Sequence, residues 1–186
     1  MEEGLALGGL NPAVQAGFYA QAAMPARYAV ERGNWSEAKQ LQPTESKFLW
    51  VQGLTYFARA LGAARTGAAA AAEKDVQKLV SLRDALRAAK NSYWANEVEV
   101  SRLGAAAWIA LAQGRNDEAL SLMRAAADAE DKSEKHIVTP GRILPARELL
   151  GEMLLELKQP ALALKEFEVS QVREPNRFRG FYGAAL

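Results

Sequence analysis

The chain of 186 residues contains no cysteine and a single histidine, His136. Disulfides, thiolate metal sites and cysteine nucleophiles are thereby excluded, and a zinc site built on imidazoles has no second ring to draw on. The redox compartment stays open, because a cysteine-free chain folds in either. A dominant charge is lacking too: 23 Lys and Arg stand against 22 Asp and Glu, for a formal net charge of +1. No overall field therefore gathers a polyanion. A nucleic-acid surface usually shows basic residues interleaved with aromatics, and the nearest candidate is REPNRFRGFYG, with Arg173, Arg177 and Arg179 beside Phe178, Phe181 and Tyr182. It reads more simply as a junction between structural units with its ordinary aromatic packing, and no nucleic-acid partner is expected.

Long apolar runs are missing as well. Nothing approaches the ~18 consecutive apolar residues of a membrane helix, so no membrane partner is expected. The opening MEEGLALGGL is acidic where a signal peptide is basic, and its apolar stretch is too short for one. No address is legible; the compartment is not fixed, with the cytoplasm favoured. GLALGG has neither the Gly-Lys-Ser/Thr nor the preceding strand of a phosphate loop, and no cofactor is expected from it. β-Branched residues are scarce outside a few short stretches. Alanine instead dominates an apolar fraction of 49%. It is the strongest helix former and lets helices approach closely. The predicted fold class is all-α.

A period runs through the glycines. ERGNWSEAKQL, ARTGAAAAAEKDV and AQGRNDEALSLM each place a glycine between two helical patterns with an alanine five residues on: Gly33/Ala38, Gly67/Ala72 and Gly114/Ala119. ELKQPALALKEF has Lys158 in the glycine position and Ala163 after it. The steps are 34, 47 and 44 residues, the longer ones being 34 plus insertions of 13 and 10. Seven residues before the four turns stand Ala26, Ala60, Ala107 and Gly151. Nine after the last three stand Val76, Met123 and Phe167. Small residues belong where two antiparallel helices cross, and larger ones fill the space between neighbouring pairs.

At these spacings the chain resembles the tetratricopeptide repeat family. The resemblance is closest in ARELLGEMLLELKQPALALKEFEVSQVREPN, where Leu150, Gly151, Leu154, Ala163, Phe167 and Pro175 occupy the signature positions and Ser170 a usual alanine position. The third unit follows; the second carries Arg59 where an apolar residue is expected, and Pro43 shortens the first. MPARYAVERGNW, RLGAAAWIALAQGRNDEAL and EKHIVTPGRILPARELLGEMLLEL resemble the C-terminal part of longer bacterial proteins of that family. The implied architecture is a single domain over 1–186, an α-α superhelix of about four helical hairpins. Its units lie at 12–43, 45–90, 92–131 and 144–176, with a partial unit at 177–186. Helices are expected near 12–32, 35–42, 45–65, 68–90, 92–113, 116–130, 145–158 and 160–173, then a last segment over 176–186. The inserted 13 residues read as extra helical turns on either side of KNSYWANE, with Asn91 as a cap. The last helix lacks a partner, so two copies could associate through that terminal edge.

Residues 131–145 form the one long stretch without a helical pattern, holding His136, Pro140, Gly141 and Pro145. As an acid or base His136 would need a carboxylate, and Asp131 and Glu134 are close in sequence. The prolines and glycine account for the stretch as a connector, with Pro145 in the first turn of the next helix. No catalytic residue, metal ligand or cofactor is assigned.

The family resemblance implies that the first helix of each pair lines a groove. The groove candidates are Arg27 in the first unit, Leu54, Phe57 and Leu61 in the second, and Ser101, Trp108 and Leu111 in the third. The fourth contributes Glu148, Glu152 and Glu156. The middle set is apolar and aromatic and suits a peptide or a helix, or else forms core. The glutamates recur every four residues on one face; they favour a cationic partner or are simply solvated. Ala23, Phe57, Gly104 and Glu148 stand where some relatives bind a peptide's terminal carboxylate through Lys and Asn, so that mode is not expected. The expected role is a non-catalytic module binding a protein or peptide. Its rivals are a structural or self-associating segment of a larger protein and an enzyme built on the connector.

Overall fold

The computed structural model describes residues 15–137, 139 and 142–186. Among these residues every regular element is a helix. They are α1 (Gln15–Glu31), α2 (Trp35–Ala38), α3 (Leu49–Arg65), α4 (Ala69–Ala88), α5 (Ser92–Ala112), α6 (Asn116–Asp131), α7 (Ala146–Glu156), α8 (Pro160–Arg173) and α9 (Phe178–Ala185). The expected start at residue 12 lies outside the described residues, as do Pro140 and Gly141.

The turns are built alike. Gly33, Gly67 and Gly114 take φ of 63°, 76° and 75°, and Lys158 in the fourth turn takes 60°. The residue after each donates its N–H to a carbonyl five positions back: Asn34 to Ala29, Ala68 to Ala63, Arg115 to Ala110 and Gln159 to Leu154, all at 2.8–2.9 Å. That is the bonding of a Schellman ending, which needs a left-handed residue, and glycine adopts it without a side-chain penalty. Lys90 repeats it between α4 and α5, with φ 55° and Asn91 N–H on Leu86 O at 2.9 Å. Asn91 holds the N-cap position of α5, as expected, but its side chain makes no cap hydrogen bond. The inserted residues are indeed helical, giving α4 20 residues and α5 21.

Consecutive helices pack as pairs, and α1, α3 and α5 also pack side by side. Ala26, Ala60 and Ala107 are fully buried at the crossings, as are Ala38, Ala72, Ala119 and Ala163 opposite them. Gly62 marks the tightest approach of the first pair to α3: a Cβ there would lie 2.5 Å from the Trp35 carbonyl oxygen and 2.6 Å from Lys39 N.

Three departures have local causes. The helix expected over 35–42 ends at Ala38, and α3 begins at Leu49 rather than 45. Pro43 lies between them, and proline restricts its predecessor to extended conformations. Arg59 sits in an apolar position because it meets Asp75 across the α3–α4 pair, Nε to Oδ2 at 3.0 Å, and donates to the Leu41 carbonyl at 3.1 Å. Burial raises the Asp75 carboxyl, and Arg59 opposes that rise.

The first and last described helices meet. Arg177 at the start of α9 pairs with Glu31 at 2.5 Å, and Arg179 donates to the carbonyls of Val30 and Glu31 at 3.1 and 3.2 Å.

Candidate functional site

The groove candidates lie on α1, α3, α5 and α7; Leu54, Phe57 and Ser101 line one depression, and Trp108, Leu111 and Glu156 another. Helical spacing places Leu54, Phe57 and Leu61 along α3, and Ser101, Trp108 and Leu111 along α5. Phe57, Leu61 and Trp108 are buried, at 5%, 0% and 2% exposure, so these three are core. Arg27, Leu54, Ser101 and Leu111 are half-buried.

Much of the first depression is covered by the chain itself. Ile143 and Leu144 from the connector are each 3% exposed, and Pro145 is fully buried. With Leu54, Phe57, Ser101 and Trp50, Ile143 and Leu144 line a residual cavity of about 60 Å³. That is room for a water or two, far below the ~300 Å³ at which ligand pockets begin. The backbone is also gripped, since Arg27 Nη2 donates to the Arg142 carbonyl at 2.6 Å.

Arg142 is the clasp. Its guanidinium lies 3.1 Å from Glu130 and 3.6 Å from both Glu97 and Glu174. Glu130 Oε1 also accepts the Ala146 N–H at 2.9 Å, which ties the start of α7 to the end of α6. Burial pushes the Glu130 carboxyl up to about 8, against Arg142 and the Ala146 N–H; Glu97 and Glu174 push the same way.

His136 stands in this setting as a packing residue. It lies 5.1 Å from the Trp94 ring and 5.5 Å from Tyr93, and Trp94 stacks on Trp50 at 3.7 Å. The Tyr93 hydroxyl donates to the Glu134 carbonyl at 3.0 Å. Asp131, named above as a partner for His136, instead receives Arg147 at 2.7 Å and Arg173 at 3.4 Å. Among the described residues, no group of three or more His, Asp and Glu is arranged to hold a metal ion.

The three glutamates of α7 are neither solvated together nor without cations. Glu148, 1% exposed, receives Arg177 through Nε at 2.7 Å and Nη2 at 3.1 Å. Burial raises its carboxyl, and Arg177 opposes that rise. Glu152 pairs with Arg65 at 2.7 Å and Arg179 at 2.5 Å, and Glu156 pairs with Arg65 at 2.7 Å. The Arg65 guanidinium lies between two indoles, 3.8 Å from Trp108 and 4.3 Å from Trp35. Leu111 and Glu156 border the open depression beside them.

No sequence signal marks Arg65, Arg142, Arg177 and Arg179 as partners of these carboxylates. Their carboxylates lie up to 146 positions away, so no helical period connects them. The aromatic packing expected at REPNRFRGFYG forms only on the surface: Phe178 and Tyr182 stack at 6.0 Å, but Phe178, Phe181 and Tyr182 are 82%, 52% and 55% exposed. Gly180 and Gly183 face inward instead, because a Cβ at Gly183 would collide with the Phe167 ring. Val172 on α8 is 84% exposed.

Among the described residues no helix is long and apolar enough to cross a membrane. Compared with known protein families, curated proteins and solved structures, the chain matches none of them.

Proposed function

We propose that the chain is a protein-interaction module without chemistry of its own: tetratricopeptide-like hairpins stacked into a superhelix whose inner face takes a peptide or a helix. One observation carries this reading. The inner face already holds a non-helical segment by the means a peptide groove uses, with a donor on its main chain (Arg27), aliphatic residues buried among aromatics, and a charge clasp at one end. Apolar anchors would supply affinity and the charged rim selectivity. The test is a peptide array probed with the parent and with Leu54→Arg and Ser101→Trp, all verified as folded by circular dichroism. Peptides retained by the parent and lost by both variants support the reading; equal retention opposes it.

The exposed stripe on α9 favours a second reading, self-association through the terminal edge. Isolated surface apolar residues are ordinary, but a contiguous aromatic stripe is a usual mark of an interface. Light scattering across a concentration series, with Phe178→Asp beside the parent, separates the two readings. A mass that rises with concentration in the parent and not in the variant supports this one.

A further inference from the structure

The segment that covers the inner face describes the partner that face would accept. Resting on the groove reading above, we infer that the inner face binds an extended peptide carrying a cationic residue, two aliphatic residues and a proline in succession, and that residues 142–145 hold that place in cis.

Each element of this pattern has a counterpart in the fold. The cationic position meets Glu97, Glu130 and Glu174, three carboxylates converging on one guanidinium. Lys135 also reaches Glu174, at 2.8 Å. The complementarity is therefore of charge, and an acidic side chain in that position would face Glu97 and Glu174 as like charges and strand the buried Glu130 carboxyl without its cation. The next two positions enter a wall formed by Trp50, Leu54, Phe57 and Gly104. The carbonyl of the cationic residue receives Arg27. Pro145 is extended, at φ −61° and ψ 137°, and fully buried, and it leaves no N–H to satisfy there.

Because the occupant is covalently attached, it competes at a high effective concentration, and a partner in trans binds the parent weakly. Removing the clasp shifts that competition. Arg142→Ala leaves the carboxylates and the aromatic wall in place while loosening the segment.

The experiment uses the full chain and a fluorescein-labelled peptide with the sequence of residues 139–149, read by anisotropy. A second peptide replaces its first arginine with glutamate, and a third is an unrelated extended sequence. Arg142→Ala is expected to bind the first peptide at least tenfold more tightly than the parent does, and at least tenfold more tightly than it binds the other two. An Ile143→Ser/Leu144→Ser variant should show the same order. If it does not fold, Arg142→Ala alone decides. Equal affinity of parent and Arg142→Ala for the first peptide overturns the inference. So does equal binding of the arginine and glutamate peptides. Preference for the unrelated peptide overturns the inference and leaves the groove reading standing, whereas binding of none by folded variants overturns both.

Discussion

Replacing Arg177 by alanine removes both guanidinium donors from Glu148, whose carboxylate is 1% exposed. The carboxylate left behind has two courses. Kept ionised, an unpaired buried charge costs about 3–5 kcal/mol. Protonation at pH 7 is the alternative: pH 7 is about 2.7 pH units above the ordinary value of a glutamate, at about 1.36 kcal/mol for each, or about 3.7 kcal/mol. The cheaper course sets the ceiling. Burial already holds Glu148 above its ordinary value in the parent, so part of that cost is common to both proteins. A loss of about 2–3 kcal/mol is expected at pH 7, with up to about 1 more from the partly exposed Glu31 pair. A raised folded pKa gives stability that is present at low pH and lost as pH rises toward it, and Arg177→Ala raises that pKa further. At pH 5 protonation costs about 1 kcal/mol, so the variant's deficit should shrink to about 1–2. Guanidinium unfolding followed by circular dichroism at both pH values measures this, with Glu148→Gln/Arg177→Ala as the third protein. The amide carries no charge, so the double variant should recover most of the pH 7 loss. Equal deficits at pH 5 and pH 7, or a double variant no better than the single one, would refute a buried carboxylate held by Arg177.

Three further outcomes follow from the same geometry. Burial raises Glu130 to about 8, so its contribution is complete below the ordinary carboxyl range and fades as pH rises toward 8; the parent's unfolding free energy should fall between pH 5 and pH 8. Glu130→Gln keeps the acceptor for the Ala146 N–H and should flatten that slope, and matching slopes in the two proteins sink the idea. Gly17→Ala, with nothing within 4 Å of the new Cβ, should stabilise by about 0.5–1 kcal/mol through helix propensity. Gly62→Ala meets backbone at 2.5–2.6 Å and should destabilise by about 1–3 kcal/mol in the same unfolding assay; a gain at both sites contradicts the close approach. Lys158→Gly should stabilise by about 1 kcal/mol by relieving a left-handed lysine, and Gly67→Ala should lose a similar amount, both read as shifts in denaturant midpoint.

The hairpin architecture was legible because its causes are local. A left-handed turn, an alanine five residues later and a small residue seven before it all lie within about one helical pair, and each corresponds to a contact that forms. Lys158 shows how strong the pattern is: the turn keeps φ 60° with no glycine to favour it. Boundaries failed where a single residue acts against the surrounding pattern, as at Pro43. Arg59 was read as an exception because its partner, Asp75, lies across a pair rather than along a helix.

The candidate face was legible in composition and illegible in state. Tryptophan, phenylalanine and leucine on a first helix serve equally well as core or contact, and nothing along α3 or α5 tells Leu61, fully buried, from Leu54, half-buried. The difference arises from what lies opposite each residue, which no single helix's sequence contains. Charge sharpens the point. On α7 three glutamates meet three arginines, Arg65, Arg177 and Arg179, and the pairing also ties α9 to α1. Around Glu130 the carboxylates converge on a residue of the connector, the segment with the least regular structure to hold it. A cationic side chain from another molecule would displace a helix in the first place and only four residues in the second. The second is therefore where competition can take place without dismantling the fold.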